Sequence, residues 1–258
     1  MASDESAIGG QRFEAEAGEG GKAAPASPRS PADSGLREDG ALALLKRPDV
    51  DAEILEQLAK NGNLLKYSKV KRALVEHAKT PRHVSLPLVR TLFTFDLMQV
   101  ALTPTTPADV KRAADEALCN RLESISAGER LSLARRASTR VAGALLHDRE
   151  RRVIHAALEN SRLTEAAVVK ALMGADAAVA LVEAVSHHPQ WSLRREVRVA
   201  LLRNEKTPLA RAMEFARSLP PRDVREILHN SRLPANIKAC VLKDQEQRRG
   251  RAARAGGE

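Results

Sequence analysis

Apolar residues recur along most of this chain at the spacing of one face of an α-helix. In WSLRREVRVALLRN, residues 191–204, Leu193, Val197 and Leu201 share one face, and arginines occupy positions between them. The segment HDRERRVIHAAL, residues 147–158, repeats this design. No comparable segment alternates with a period of two residues, which is the pattern of a half-buried strand. The pattern therefore predicts an all-α protein of helices about 10 to 15 residues long, joined by short turns.

Three turns between these apolar runs are nearly the same. The segments ALENSRLTEA, LLRNEKTPLA and ILHNSRLPAN each place Asn160, Asn204 or Asn230 four residues before a threonine or a proline. Asparagine adopts the left-handed conformation more readily than most residues, so each is expected to end a helix in that conformation. Thr207 is then expected to cap the next helix, and Pro208 to take its first helical position.

The turns recur at regular intervals. Asn160 and Asn204 are 44 residues apart, and Asn204 and Asn230 are 26 apart. Related turns occur at 76–81 (EHAKTP), 101–107 (ALTPTTP) and 186–191 (SHHPQW), where His187 is expected to replace the asparagine. Intervals of this size are typical of helical repeats that stack to share one core. The predicted fold is an α-solenoid of stacked short antiparallel helices.

These turns also carry a resemblance. LLRNEKTPLA, ILHNSRLPAN, ALENSRLTEA and LVEHAKTPRH resemble units of bacterial HEAT-like and armadillo-like solenoids. The turns are similar to those of leucine-rich repeat variant proteins, which also set an asparagine and a Thr-Pro pair between short helices. The resemblance covers roughly residues 41–242 and implies a protein-binding scaffold. Some leucine-rich repeat variant proteins hold an N-terminal iron-sulfur cluster with clustered cysteines, but residues 1–118 contain no cysteine.

Composition divides the chain into three segments. Residues 1–40 are rich in Gly, Ala, Ser, Pro and Glu and lack an apolar period, so a disordered tail is expected there. Residues 41–248 form the predicted solenoid, and residues 249–258 a frayed basic tail. No apolar run approaches the roughly 20 residues that cross a bilayer. With two cysteines, a reducing compartment is the simplest interpretation, and a cytoplasmic location is expected.

The sequence offers little support for catalysis or metal binding. His155 and Glu159 are spaced for one helix face, but no third ligand stands at a recognised distance. Cys119 and Cys240 lie in apolar surroundings, so both are predicted to be small buried hydrophobes. No nucleophile motif or phosphate-binding loop occurs. The sequence therefore does not favour an enzyme, and no cofactor is expected.

Charge leaves two functions open. The net charge is +9, and because residues 1–40 hold eight acidic and four basic side chains, the remainder carries +13. Such a body favours acidic partners. A non-catalytic scaffold that binds another protein is the first expectation. The alternative is a nucleic-acid-binding HEAT-like solenoid; some HEAT-like solenoids are DNA-repair glycosylases, and this chain is superficially similar to them in length, charge and helical content. In both cases the candidate contacts form a stripe of five arginines: Arg149, Arg152, Arg194, Arg195 and Arg198.

The shortage of aromatic residues argues against the nucleic-acid alternative. Aromatic side chains make up only 2% of the chain. Binding of single strands or of flipped bases normally uses several stacking aromatics. Trp191 and Tyr67 are the expected candidates for that role.

Overall fold

The structure, a computed structural model, describes the backbone of residues 37–255 and the side chains of residues 37–250. The tail predicted over residues 1–40 lies almost entirely outside the described residues. Within 37–255 the chain forms fifteen α-helices and two 3₁₀ turns and no β-strand. The all-α prediction is therefore confirmed. The predicted boundaries at residues 40 and 248 remain predictions; helix α1 begins at Glu38, and the last helix runs to Ala255.

Most of the helices are only seven to ten residues long. They are α1 (Glu38–Leu45), α2 (Ala52–Lys60), α3 (Ser68–Glu76), α4 (Arg82–Val89), α5 (Thr94–Leu102), α6 (Ala108–Arg121), α7 (Ala127–Arg136), α8 (Thr139–Leu145), α9 (Arg151–Leu158), α10 (Glu165–Met173), α11 (Val179–His187), α12 (Arg195–Arg203), α13 (Leu209–Arg217), α14 (Pro221–His229) and α15 (Ala235–Ala255). The 3₁₀ turns are Leu64–Lys66, before α3, and Trp191–Leu193, before α12.

The helices stack in the manner of a solenoid. Many helices contact the next but one along the chain: α1 packs on α3, and α3 on α5, while α4, α6, α8, α10 and α12 form a continuous series. Isolated helices of this length are unstable in water, so the apolar faces must be shared between neighbours. Leucine, valine and alanine fill most of the buried positions. The predicted α-solenoid is confirmed for the described residues.

Two stretches of the solenoid repeat the same series of elements without a gap. α2 at 52–60 corresponds to α11 at 179–187, α3 at 68–76 to α12 at 195–203, and α5 at 94–102 to α14 at 221–229. In each case the counterpart lies 127 residues later. The 3₁₀ turns obey the same offset, and α1, α4 and α6 begin 127 residues before α10, α13 and α15. We call residues 38–121 the first unit and residues 165–248 the second unit.

The asparagines end helices in a different way from the one predicted. Asn204 has an extended backbone (φ −86°, ψ 132°), and Asn230 has φ −93° and ψ 14°, so neither adopts the left-handed conformation. Asn204 is 3% exposed and connects two layers of the stack. Its Nδ2 donates to the carbonyl of Leu172 in α10 at 2.7 Å, and its Oδ1 accepts from the amide of Lys206 at 2.9 Å.

Asn160 has the same structural role in the preceding repeat. Its Nδ2 donates to the carbonyls of Ala134 and Ala137 at 2.8 and 3.1 Å, and its Oδ1 accepts from the amide of Arg162 at 2.8 Å. The last carbonyls of a helix have no partner within that helix. These asparagine side chains satisfy such carbonyls from a neighbouring layer, so they stabilise the stack as well as the turn.

The Thr-Pro pair also differs from the prediction. Pro208 is the N-cap residue of α13 and lies one position before the helix, in extended conformation. Thr207 is buried and its hydroxyl donates backward to the carbonyl of Leu201, at 2.6 Å, instead of capping α13. Thr80 makes the same bond to Leu74, also at 2.6 Å. A buried hydroxyl needs a partner, and the free carbonyls at the end of the preceding helix supply it.

The turns at Thr164 and His187 also depart from the sequence pattern. Thr164, which stands where the other two turns have a proline, caps α10, because its hydroxyl accepts from the amide of Ala167 at 3.3 Å. His187 does not replace the asparagine; it is the last residue of α11, and His188 takes that role. Nδ1 of His188 accepts from the amide of Gln190 at 3.2 Å. Burial lowers the pKa of His188, which favours the neutral ring that this acceptor role requires.

Candidate functional site: a cationic groove in the first unit

The groove begins at a turn that fixes the end of α1 against the end of α3. His77, directly after α3, stands 127 residues before Asn204 and makes a similar pair of bonds, although its donor reaches the carbonyl of Arg47 and not that of Leu45, the counterpart of Leu172. Its Nδ1 accepts from the amide of Lys79 at 3.3 Å, and its Nε2 lies 3.1 Å from the carbonyl of Arg47. Since Nδ1 accepts, the ring donates from Nε2. The imidazole thus provides both the acceptor and the donor that the asparagine amide provides in the second unit.

Along this boundary between α1 and α3 lies an open groove of about 530 Å³. One face of α3 borders it, with lining residues at positions 69, 72, 73 and 76, the spacing of neighbouring turns of a helix. Apolar side chains, among them Leu42, Leu45 and Ala73, contribute to the wall. Five cationic side chains line the groove, and Glu76 is the one carboxylate among its lining residues: the cations are Lys46, Arg47, Lys69, Arg72 and Lys79.

The three lysines of the groove form no close ion pair, although the charge of Lys79 helps to lower the pKa of nearby Asp49. Among the described residues, no hydrogen bond or salt bridge engages the ammonium groups of Lys46, Lys69 and Lys79. The two arginines are paired within the chain. Arg47 meets Asp49 at 2.9 Å, and Arg72 lies 3.4 Å from Asp96. An anionic group entering the groove would therefore meet three ammonium groups without breaking a salt bridge of theirs.

Glu76 lies within this cationic setting. Its carboxylate is 3.7 Å from Arg72 and accepts a hydrogen bond from the hydroxyl of Thr103 at 3.3 Å. Burial nevertheless raises the pKa of Glu76 above its ordinary value, and Asp96 adds to this effect, while Arg72 and Thr103 oppose it. Desolvation is thus the larger influence on this carboxylate.

The corresponding place in the second unit has different chemistry. Thr105 lines the groove, whereas its counterpart Arg232 spans the ends of two helices. The backbone amide of Arg232 donates to the carbonyl of Arg203 at 3.0 Å, and its guanidinium donates to the carbonyl of Met173 at 3.2 Å. Lys206, the counterpart of Lys79, donates to the carbonyl of Ala177 at 2.7 Å. The arginine and the lysine that occupy this region are therefore already engaged by the chain itself.

The arginine stripe expected from the sequence is partly engaged by neighbouring groups. Arg152 pairs with Glu150 at 2.6 Å, and Arg195 pairs with Asp223 at 2.9 Å. Arg198 donates to the carbonyl of Ser192 at 2.7 Å. Arg149 and Arg194 form no hydrogen bond or salt bridge through their side chains within the described residues. The stripe as a binding surface remains a prediction.

The exposed aromatic residues are not those expected. Trp191 is 4% exposed, and its Nε1 donates to the carbonyl of Leu158 at 2.8 Å, so it belongs to the core. Tyr67 is 44% exposed, and Phe93 at 70% and Phe95 at 46% are exposed as well. No local sequence signal separates these phenylalanines from buried ones, because both lie at the start of an apolar helix.

One cysteine prediction is wrong and the other is partly met. Cys240 is exposed, because it lies in α15, the last described helix, and no further described layer covers that helix. Cys119 is half-buried, and burial raises the pKa of its thiol, the opposite of what an activated nucleophile requires. Among the described residues, no cluster of three or more His, Cys, Asp or Glu side chains could hold a metal ion.

No family model matches the chain, and neither a curated protein nor a solved structure shows significant similarity to it. Within residues 37–255, no helix combines the length and the apolar character needed to span a membrane.

Proposed function

We propose that this chain is a non-catalytic scaffold of the HEAT-like and armadillo-like type that binds an acidic segment of another protein. The binding site is the cationic groove between α1 and α3. The observation that carries the proposal is a set of three lysines, Lys46, Lys69 and Lys79, whose ammonium groups form no hydrogen bond or salt bridge within the described residues and which line an open cavity with apolar walls. Clustered cations attract acidic ligands, and apolar walls add contact area for side chains of a peptide.

The groove suits a peptide better than a nucleic acid backbone. Its wall includes Leu42, Leu45 and Ala73, which would pack against aliphatic side chains of a peptide. A sugar-phosphate backbone has no aliphatic side chains to make these contacts. The nucleic-acid alternative gains exposed stacking surfaces in Tyr67, Phe93 and Phe95. However, three of the five stripe arginines are held by groups of the chain, so the stripe offers phosphates less free charge than its sequence indicates.

A binding measurement on the full chain tests the proposal. The probe is a fluorescent 12-residue synthetic peptide of alternating Glu and Leu, followed by anisotropy at 150 mM salt. We expect a Kd on the order of 0.1 mM, as for a small transient interface. The triple variant Lys46→Gln, Lys69→Gln, Lys79→Gln should bind at least about tenfold more weakly, because the ammonium groups no longer face the ligand.

A matched variant keeps the same loss of charge but leaves the groove intact. Arg149→Gln, Arg152→Gln, Arg194→Gln removes three positive charges from the stripe and should weaken the peptide by less than about threefold. Equal losses of peptide affinity in both triple variants would mean that net charge alone causes the effect, which would contradict the proposal.

Nucleic acid provides the second arm of the experiment. Single-stranded and duplex oligonucleotides should bind only weakly at 150 mM salt, with a steep dependence on salt. Submicromolar binding that is lost in the Arg195→Gln, Arg198→Gln variant would favour the nucleic-acid alternative and overturn the scaffold proposal.

A further inference from the structure

We propose that the acidic segment at residues 13–19 of this chain occupies the cationic groove intramolecularly and competes with the partner for it. The inference rests on the proposed function, since both use the same binding surface, and adds regulation to it. The segment is FEAEAGE and holds three glutamates, one phenylalanine and no basic residue. It lies outside the described residues, so its composition and its distance along the chain from α1 carry the inference.

Charge and chemistry match between the segment and the groove. The three glutamates Glu14, Glu16 and Glu19 correspond in number to the three unengaged lysines, Lys46, Lys69 and Lys79. Phe13 would bring an apolar side chain to a groove whose walls include Leu42 and Leu45. The second unit lacks this complement, because Glu196 stands where the first unit has Lys69 and Met173 where it has Lys46. The acidic segment therefore matches the groove of the first unit but not the corresponding place in the second unit.

The segment is close enough along the chain to reach the groove. Seventeen residues lie between Glu19 and Arg37, the residue before α1, and this stretch can span up to about 60 Å when extended. The groove begins near the C-terminal end of α1, which is eight residues long, or about 12 Å from its start. The tether thus exceeds the required distance. A tethered ligand of this kind has an effective concentration of about 1 mM.

Competition follows from this concentration. If the segment binds the groove with an intrinsic Kd of about 0.1 mM, the tethered form occupies it about nine-tenths of the time. A partner would then bind the full chain about tenfold more weakly than it binds an unoccupied groove. Removing the acidic charges should reverse this loss.

Carbodiimide cross-linking of the full chain tests the contact without any partner. The reagent joins a carboxylate directly to a nearby amine, and the monomer is isolated at low micromolar concentration so that only links within one chain are counted. We expect peptides that join Glu14, Glu16 or Glu19 to Lys46, Lys69 or Lys79, at a yield that falls between about 50 and 300 mM salt. Exposed lysines outside the groove, Lys60 and Lys243, serve as internal references. Links spread equally over groove and reference lysines, or absent from the groove lysines, would overturn the inference.

The competition itself is tested with the Glu-Leu peptide probe. The full-length variant Glu14→Gln, Glu16→Gln, Glu19→Gln should bind the probe about tenfold more tightly than the wild type. In a chain that also carries Lys46→Gln, Lys69→Gln and Lys79→Gln, the same tail substitutions should change nothing. Groove cross-links without probe binding would contradict the proposed function alone. If the wild type and the tail variant bind the probe with equal affinity, and no groove cross-links form, this inference alone would be contradicted.

Discussion

The first and second units have the same helices in the same order, but their surfaces differ where the groove lies. Several buried positions keep their residue, as the corresponding pairs Val70 and Val197, Leu74 and Leu201, and Thr80 and Thr207 do, and others stay apolar but change size, as Leu64 and Trp191 do. Outside the core the match is only partial: Lys79 corresponds to Lys206, but Lys69 corresponds to Glu196. At the groove edge, Thr105 corresponds to Arg232.

This difference separates what the fold requires from what a ligand requires. The buried residues and the turn bonds fix the backbone, so both units reach the same series of elements. The three groove lysines contribute little to that backbone, because their ammonium groups form no hydrogen bond or salt bridge with another described residue. An open groove with free cations is therefore a property of the first unit and not a by-product of stacking. Each variant described below exchanges or removes one residue that is compared between the two units.

The largest expected effect concerns a turn residue that the fold requires. Asn204→Leu should lower the free energy of unfolding by about 3 kcal/mol, because the carbonyl of Leu172 and the amide of Lys206 would lose their buried partner. Asn230 is exposed, and its side chain makes no hydrogen bond within the described residues. Asn230→Leu should therefore cost less than about 0.5 kcal/mol. Chemical denaturation followed by circular dichroism measures both, and equal losses would contradict the difference in role.

The next prediction gives the first unit the arginine of the second. Thr105→Arg should weaken binding of the Glu-Leu peptide about tenfold, because a guanidinium at this position can span the groove as Arg232 spans the ends of α10 and α12. Thr105→Ser is the control and should bind as the wild type does. Anisotropy titrations give both affinities. A Thr105→Arg variant with tighter binding would show that its charge attracts the peptide without closing the groove.

A smaller effect is expected when the turn residues are exchanged. His77→Asn should change the free energy of unfolding by less than about 0.5 kcal/mol, because asparagine at position 204 accepts from the corresponding amide and donates to Leu172, the counterpart of Leu45. His77→Leu removes both bonds and should cost about 1 kcal/mol, less than at Asn204 because His77 is partly exposed. Thermal melts of the two variants measure the difference. A leucine variant as stable as the asparagine variant would mean that these bonds contribute nothing.

The smallest effect is expected at Glu76. Glu76→Gln removes the one carboxylate that lines the groove and should tighten peptide binding about twofold to threefold. Because burial raises the pKa of Glu76, the native state binds a proton more readily than the unfolded chain does. Stability from this group is thus present below the ordinary pKa and is lost as the pH rises through the raised pKa. Denaturation at several pH values should show this decline in the wild type and its absence in the variant.

Sequence patterns predicted the fold but not the details of its turns. The apolar period in segments such as 191–204 determines which faces are buried, so helices and stacking could be predicted locally. The conformation of Asn204 could not, because it depends on a carbonyl at Leu172, which only the fold brings near. The helix end at Asn204 was therefore predicted correctly, but from a backbone preference that the residue does not use.

The groove could not be predicted for the same reason. Lys46, Lys69 and Thr105 lie on three separate elements and meet only when α1, α3 and the turn after α5 stack. The sequence pattern instead indicated candidate contacts at arginines that are close together along the chain. Two of those arginines pair with nearby carboxylates, Arg152 with Glu150 and Arg195 with Asp223. Charge density along a sequence does not reveal which charges are already paired.

Backbone amide NMR of the full chain, titrated with the Glu-Leu peptide, tests the central claim most directly. The claim predicts shifts at the end of α1, along residues 69–79 and at Thr105, with residues 196–206 and Arg232 in the second unit unchanged. Shifts confined to the stripe at residues 149–152 and 194–198, or equal shifts in both units, would contradict it.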